Sequence, residues 1–260
     1  MSWLPTPSPA EPPVVLDVPA TSPPPSRRRR RVLAVLLAVA LLVGLGVVVA
    51  ARVIGRDPDD CDRRARDSAA RAAADAGPSD APGVVVIGDS YSVGAGLADR
   101  SLSWPARLAA LPARVHVAGY SGSGFEPGAL DCTDVSYPDR APGAVAGRPD
   151  AVVVVQGGLN DWDQPETEVA AGLRRTAQAL QGHRVVLVGP PHVDVPEIDA
   201  EVPRLDALLR RLAGEVGWRY LPMTAVDLDF VDRLHPDVAG HTRFGDRVAR
   251  GIADLVGAAP

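Results

Sequence analysis

The stretch VVVIGDSYS, Val84 to Ser92, decides the fold. Its first four residues are β-branched and apolar, and they predict a buried strand of a parallel sheet. Helices cover both faces of such a sheet, so both faces of the strand must be apolar. The strand ends abruptly in a glycine, an acid and a serine. In open α/β sheets, ligands bind beyond the carboxyl ends of the strands, so we expect Ser90 to lie at the functional edge.

Apolar runs and amphipathic stretches alternate along the rest of the chain. Strands are predicted at Gly83–Ile87, Arg114–Ala118, Ala151–Val155 and Arg184–Val188, with a shorter one at Trp218–Leu221. Helical stretches lie near Trp104–Leu111, Glu166–Gln181, Val202–Val216 and Gly240–Val256. Such alternation implies a parallel sheet with helices on both faces. We therefore expect residues 83–260 to form a three-layer α/β/α domain, flavodoxin-like, with a five-stranded parallel sheet.

The N-terminal region predicts a tail followed by a membrane span. Residues 1–31 are rich in proline, end in the arginines Arg27 to Arg31, and predict a disordered tail. Residues Val32 to Ala51 are all apolar, and about 20 such residues cross a bilayer as a helix. The preceding arginines predict a cytoplasmic N-terminus. Residues 52–82 would form a stalk or linker, with a helix from Cys61 to Ala76.

A cleaved signal peptide is the alternative to a retained anchor, because Val49-Ala50-Ala51 resembles a cleavage site. The apolar core of a signal peptide is usually about 7–15 residues, however, and this run is longer and follows a long tail. We therefore favour a single transmembrane helix in the cell membrane. In either case the bulk of the chain is expected outside the cytoplasm.

Charge is divided unevenly along the chain. Lysine is absent, and residues 1–56 carry seven arginines and two acids, a net charge of +5. Since the whole chain carries −5, residues 57–260 carry −10. Nucleic-acid-binding domains usually present a basic surface, which this acidic region lacks. The arginine run lies directly against an apolar span, and its position also argues against a nucleic-acid partner.

Two cysteines, Cys61 and Cys132, are the only ones in the chain. Outside the cytoplasm such a pair is a candidate disulfide. Intermolecular pairing and two free thiols remain open alternatives. Two isolated cysteines form no ligand cluster, so we expect neither a zinc site nor another metal site.

An acid and a base for a serine nucleophile lie far downstream, in the segment from Asp232 to Pro236. A serine hydroxyl is a poor nucleophile until a neighbouring base takes its proton. His235 is the candidate base, and Asp232 the acid that would orient it. None of the other four histidines has an acid three residues upstream. The alternative is that His235 is only a histidine at the start of a helix.

Two glycine-containing segments follow the second and third predicted strands. Gly119–Gly124 reads GYSGSG, and Gly157–Asp161 reads GGLND. Backbone N–H groups of the first segment and the side-chain amide of Asn160 can stabilise an oxyanion. A dinucleotide-binding loop would open a helix at once, whereas Phe125–Gly128 is a poor helix start. Asp161 is simplest to interpret as a helix cap or turn acid.

Taken in order, these blocks resemble the SGNH hydrolase (GDSL-type esterase/lipase) family over residues 83–256. The matching blocks are Gly88–Ser90, Gly119–Gly122, Gly158–Asp161 and Asp232–Pro236. The resemblance implies the SGNH hydrolase fold and no cofactor.

The resemblance also implies roles for individual residues. Ser90 would be the nucleophile, His235 the base and Asp232 the acid that orients the base. The oxyanion hole would use the N–H groups of Ser90 and Gly122 and the amide of Asn160.

Two positions depart from the family pattern. Tyr91 stands where the family commonly has leucine, and we expect it to narrow the pocket. Gly124 competes with Gly122 for the second oxyanion-hole position.

The sequence therefore predicts a membrane-anchored serine esterase that hydrolyses acetyl or acyl esters of an envelope glycan or lipid. One alternative is an O-acyltransferase, which differs only in that a glycan hydroxyl replaces water. The other is a non-catalytic binding protein that kept the fold.

Overall fold

The computed structural model of the protein describes residues 58–74, 81–126 and 132–257. The predicted tail at residues 1–31 and the predicted span Val32–Ala51 lie outside the described residues. Among the described helices, none has the length and apolar character needed to cross a membrane.

A five-stranded parallel sheet forms the centre of the fold, as predicted. The strands are β1 (Gly83–Gly88), β2 (Arg114–Gly119), β3 (Val152–Gln156), β4 (Arg184–Val188) and β5 (Arg219–Leu221). Their order across the sheet is β2-β1-β3-β4-β5, and each neighbouring pair is parallel. From β1 the chain adds β2 on one side of the sheet and then β3, β4 and β5 on the other, so the strand order reverses between β1 and β3. Sheets of this class bind ligands at that point, where Ser90 follows β1 and Asn160 follows β3.

The helices are α1 (Pro58–Ala73), α2 (Ser90–Val93), α3 (Tyr137–Val145), α4 (Glu166–Ala179), α5 (Pro196–Asp199), α6 (Val202–Glu215) and α7 (Val238–Gly257). Short 3₁₀ segments lie at Arg100–Leu102, Trp104–Ala110 and Leu159–Asp161. The amphipathic stretch predicted near Trp104–Leu111 is therefore a 3₁₀ segment.

Helix α3 was not predicted from the sequence, because Pro138, Pro142 and Gly143 interrupt its pattern. Its start has a clear physical cause. Ser136 and Asp139 form a reciprocal capping box, and Pro138 is tolerated in the first turn because no intrahelical donor is lost there. Three buried residues of α3, Tyr137 among them, then pack against the sheet.

The strands alternate their side chains between two cores, which makes the fold three-layered. One core lies beneath α7 and the Trp104–Ala110 segment; its members include Val84, Val86, Val117, Val154, Trp104, Phe244, Val248 and Ile252. The other lies beneath α3, α4 and α6; its members include Val85, Ile87, Val153, Val155, Tyr137, Val169, Leu173 and Leu209. The continuous valine runs of the sequence exist because both faces of each strand are covered.

Helix α1 lies within the segment interpreted from sequence as a stalk, and it packs against the domain. Cys61 and Cys132 form a disulfide, so the pair named as a candidate is bonded. Farther along the helix, the buried Arg71 donates from Nε to Ser103 Oγ at 3.1 Å.

Candidate active site

Ser90 follows β1 directly and is the first residue of α2. The Oδ1 atom of Asp89 accepts a hydrogen bond from the Tyr91 N–H at 2.9 Å, which starts this short helix. Ser90 is 8% exposed. Its hydroxyl makes no hydrogen bond within the described parts of the chain, so its contact with His235 stays a prediction.

Asp232 and His235 are brought together by one loop between β5 and α7. His235 Nδ1 lies 2.8 Å from Asp232 Oδ2. The other carboxylate oxygen, Oδ1, accepts from the backbone N–H groups of His235 at 2.7 Å and Leu234 at 3.2 Å. The loop is closed by a bond from the Val231 N–H to the His235 carbonyl at 2.9 Å. The acid is thus held by both its own loop and the imidazole.

The pKa of Asp232 lies below its ordinary value. Partial burial alone would raise this pKa, but the hydrogen bonds from the His235 ring and backbone N–H groups outweigh that effect. The carboxylate therefore stays ionised at neutral pH. An ionised acceptor at Nδ1 holds the proton on that nitrogen and leaves Nε2 of His235 as the basic one.

Tyr91 links the Ser90 segment to the Asp232–His235 loop. Its hydroxyl donates to the Leu234 carbonyl at 2.6 Å, and its ring centroid lies 6.3 Å from that of His235. Gly96, which follows α2, also lies against the loop, since a Cβ there would be 3.2 Å from His235 Cβ. The structure therefore brings the segment of Ser90 and the loop of His235 to the same edge of the sheet.

Asn160 lies in the 3₁₀ turn after β3 and reaches the loop after β2. Its Nδ2 atom donates to the Ser123 carbonyl at 2.9 Å. A primary amide has two N–H donors, so one remains for another acceptor. This contact joins the two segments that the sequence proposed as sources of oxyanion donors.

Asp161 is more than a turn acid. It is fully buried, and its carboxylate accepts from the N–H groups of Phe125 at 3.1 Å and Glu126 at 2.9 Å. Burial raises its pKa to about 7, although these hydrogen bonds oppose the shift. A Cβ at Gly124 would lie 2.5 Å from Asp161 Oδ1, so glycine at this position is explained by the close approach of the carboxylate.

Arg140 of α3 is a partly buried cation behind this loop that was not predicted from the sequence. It donates to the carbonyls of Val135 at 2.7 Å, Gly88 at 3.0 Å and Ala118, and to Ser123 Oγ at 2.8 Å. Burial lowers its pKa to about 10, which leaves the guanidinium charged at neutral pH. One side chain thus fixes the ends of β1 and β2 and the loop that Asn160 contacts.

A second buried chain of hydrogen bonds supports α2. Trp104 Nε1 donates to Ser92 Oγ at 3.2 Å, and Ser92 Oγ donates to Gln156 Oε1 at 2.7 Å. Gln156 Nε2 then donates to Asp89 Oδ1 at 3.0 Å. Burial raises the pKa of Asp89 to about 6, although the hydrogen bonds from the Tyr91 N–H and the Gln156 amide oppose the shift. Its other oxygen, Oδ2, has no partner among the described residues.

The described part of the chain contains no group of three or more His, Cys, Asp or Glu side chains placed to hold a metal ion.

A family model decides the affiliation of the chain. The model of the GDSL-like Lipase/Acylhydrolase family matches residues 86–243, a range that contains Ser90, Asn160, Asp232 and His235. The chain belongs to this family. It is accordingly an enzyme that hydrolyses ester bonds.

Solved structures of esterases share the fold of this GDSL-like hydrolase. A carbohydrate acetylesterase from Sinorhizobium meliloti is 19% identical, with a TM-score of 0.56, and the match covers 67% of this chain and 99% of that one. An aryl esterase from M. smegmatis is 18% identical, with a TM-score of 0.58, and the match covers 67% of this chain and 100% of that one. At these identities the likeness concerns the fold. No curated protein matches the sequence.

Tyr91 does not narrow the pocket, and the expectation drawn from its departure from the family pattern is wrong. The residue is 1% exposed and lies in the core beside His241 and Phe244. Its hydroxyl is satisfied by the Leu234 carbonyl, which explains how a tyrosine is accommodated in a buried position. Tyr91 therefore supports the His235 loop from the core side.

Two supporting residues carried signals that sequence reasoning could have used. Gln156 is a polar residue at the end of a run of valines, where a buried amide must find partners. The spacing of Ser136 and Asp139 signals the start of α3 and would have placed Arg140 on a helix. The hydrogen-bond partners of Gln156 and Arg140 could not be predicted, because most of them lie far away in sequence.

Proposed function

We propose that this GDSL-like hydrolase is a serine esterase in which Ser90 is the nucleophile, His235 the general base and Asp232 the acid that orients it. The Ser90 oxygen attacks the ester carbonyl while His235 Nε2 takes the hydroxyl proton. The alcohol then leaves with that proton, and an acyl-enzyme remains on Ser90. Water, activated by the same histidine, releases the carboxylic acid and regenerates Ser90.

The oxyanion formed in both steps would be stabilised by three donors. These are the N–H groups of Ser90 and Gly122 and the second amide hydrogen of Asn160. Donors that are already fixed before the reaction need no reorganisation as the charge develops, which makes this contribution large.

The observation that carries the proposal is the 2.8 Å contact between His235 Nδ1 and Asp232 Oδ2. It leaves Nε2 as the basic nitrogen of a histidine whose loop is bonded, through Tyr91, to the neighbour of Ser90. A carboxylate of lowered pKa beside the imidazole also favours the imidazolium that forms when the serine loses its proton.

For the substrate, we propose acetyl or acyl esters of an envelope glycan or lipid. The matched fold of a carbohydrate acetylesterase is consistent with this choice. Hydrolysis of nitrophenyl esters from acetyl to palmitoyl by the wild-type protein and Ser90→Ala tests both parts. We expect activity in the wild type and a loss of roughly 10⁵-fold or more in the variant. Equal activity of the two proteins would exclude Ser90 as the nucleophile.

We also propose that the enzyme is anchored in the cell membrane by Val32–Ala51, with its catalytic domain outside the cytoplasm. The arginines Arg27 to Arg31 support the orientation, and the Cys61–Cys132 disulfide supports an oxidising compartment. Alkaline phosphatase fused after Pro260 should be active in cells, whereas the same reporter fused after Ser26 should be inactive. The reverse pattern would refute this orientation.

A further inference from the structure

Helix α1 lies outside the residues matched by the family model, which begin at residue 86, yet it contacts the loop after β2. Arg64 Nη1 donates to the Ser121 carbonyl at 2.9 Å. Ser68 Oγ donates to the Gly119 carbonyl, and the Tyr120 hydroxyl donates to the Cys61 carbonyl at 3.1 Å. Gly119, the last residue of β2, and the two loop residues that follow it are therefore each bonded to this one helix.

The Arg64 contact bears directly on the direction of the Gly122 N–H. The Ser121 carbonyl and the Gly122 N–H belong to the same peptide unit, which is planar and trans. In a trans peptide the C=O and N–H point in opposite directions. A donor that holds the Ser121 oxygen on the side of α1 consequently turns the Gly122 N–H toward the opposite side of the loop.

The loop needs such a restraint at this peptide. Gly122 has a φ of 85°, in the left-handed region that glycine adopts without strain. Because glycine also adopts the ordinary regions, the peptide before it can rotate at little cost unless one of its groups is held. The charged guanidinium is a strong partner for a carbonyl, since hydrogen bonds from ionised donors are about twice as strong as neutral ones.

The guanidinium is itself held in place on α1. Asp60, one turn earlier, accepts from Arg64 Nε at 3.4 Å and Nη2 at 3.2 Å, so that Nη1 is directed at the loop. The Cys61–Cys132 disulfide ties the same turn of the helix to the chain that follows the loop. The Arg64 guanidinium is therefore held by Asp60 on the helix, and the helix is tied by the disulfide to the chain that follows the loop.

We infer that Arg64 is a positioning residue for the oxyanion hole, which it orients by holding the Ser121 carbonyl so that the Gly122 N–H faces the reacting carbonyl. This inference rests on the proposed function, since it assigns Gly122 as an oxyanion donor. Arg64 contacts neither substrate nor reacting atoms in this scheme. Its effect passes through one peptide unit.

The test compares Arg64→Met with the nearby Arg66→Ala in the full-length protein. Arg66 is an exposed residue of the same helix, and among the described residues it contacts neither Asp60 nor the loop. For Arg64→Met we expect kcat for nitrophenyl acetate to fall by about tenfold, since small misplacements of catalytic groups are costly. KM and Tm should remain near the wild-type values. Arg66→Ala should match the wild type in all three.

A tetrahedral inhibitor separates positioning from a general structural role. Benzeneboronic acid forms an adduct on the serine whose oxygen occupies the oxyanion hole. Its inhibition constant should rise in Arg64→Met by the same factor by which kcat/KM falls. An unchanged kcat, or a loss of kcat that Arg66→Ala shares together with a fall in Tm, would overturn the inference.

Arg64→Lys keeps the inference testable if the methionine variant does not fold. A single ammonium cannot reproduce the fork that bonds Asp60 and the loop together, so we expect a smaller loss of kcat, by about threefold, at unchanged Tm. Wild-type kcat in Arg64→Lys together with a failure of Arg64→Met to fold would overturn the inference. Ser90→Ala separates the two proposals, because full activity in that variant refutes the serine mechanism itself. Inactive Ser90→Ala beside fully active Arg64→Met refutes only the role of Arg64.

Discussion

The two sides of the proposed site are built differently. The Asp232–His235 pair lies in one loop, three residues apart, and its side chains are 50% and 20% exposed. The opposite side, formed by Asn160 and the loop after β2, is held from behind by the partly buried Arg140 and the fully buried Asp161. The bonds of the first side are local apart from the Tyr91 contact with the Leu234 carbonyl, whereas the second side depends on contacts between distant segments. Substitutions in the loop of Asp232 and His235 should therefore lower kcat with little effect on stability. Substitutions of the residues that hold the loop after β2 should lower stability as well.

The largest effect that tests this comparison is expected for Asp232→Asn. The variant loses the ionised acceptor that keeps the proton on Nδ1 of His235, and kcat should fall by about 10⁴-fold. Tm should change little, because Asp232 is half exposed and the asparagine oxygen can still accept from the N–H groups of Leu234 and His235. Esterase assays and thermal unfolding provide the two measurements. Asp229→Asn, an exposed acid before the same loop, is the control and should keep the wild-type rate; an equal loss there would contradict the assignment.

Asn160→Ala is expected to produce the next largest change. The side chain donates to the Ser123 carbonyl and, in the proposed mechanism, also donates to the oxyanion. We expect kcat to fall by roughly 10²–10³-fold, the usual loss for an oxyanion donor. KM should change far less than kcat. A variant with the wild-type turnover would remove Asn160 from the oxyanion hole.

Arg140→Met tests how much the hydrogen bonds of Arg140, behind the loop after β2, contribute to stability. The substitution leaves three carbonyls and Ser123 Oγ without their charged donor. We expect the free energy of unfolding in urea to fall by about 3 kcal/mol, the cost of unsatisfied buried acceptors. Arg175→Met, at an exposed position on α4, is the matched control and should change stability by less than about 0.5 kcal/mol. Equal stability of the two variants would show that the Arg140 network contributes nothing.

The last effect appears only as the pH falls, and it concerns the buried residues that support the His235 loop. His241 is fully buried against Tyr91 and accepts from the Trp104 N–H, and burial lowers its pKa to about 4. A lowered histidine pKa means that the folded state favours the neutral ring. Its contribution to stability is therefore complete above the unfolded pKa of about 6.5 and is lost as the pH falls toward 4.

Comparison with His241→Asn isolates this contribution from the buried carboxyls Asp89 and Asp161, whose raised pKa values act in the opposite direction. Between pH 7 and pH 4, the difference in unfolding free energy between wild type and variant should shift by up to about 3 kcal/mol in favour of the variant. A difference that does not change with pH would show that the His241 ring is not held neutral.

The sequence predicted the sheet and the local side of the site more completely than the distant side. Runs of valine identified the strands, because burial on both faces leaves a continuous apolar pattern. Asp232 and His235 could be paired because the spacing that joins them is visible in the chain. Arg140 could not be assigned, since it lies 52 residues from Gly88 and on a helix concealed by prolines. The role of α1 was likewise not visible, because Arg64 and Ser121 are 57 residues apart.

Labelling with a fluorophosphonate tests the central claim most directly, namely that Ser90 is activated by the Asp232–His235 pair. Peptide mass spectrometry should find the adduct on Ser90 of the folded wild-type protein and none in Ser90→Ala. The rate of labelling should fall sharply in Asp232→Asn, whose serine is intact. Labelling at another residue, or an unchanged rate in Asp232→Asn, would contradict the account.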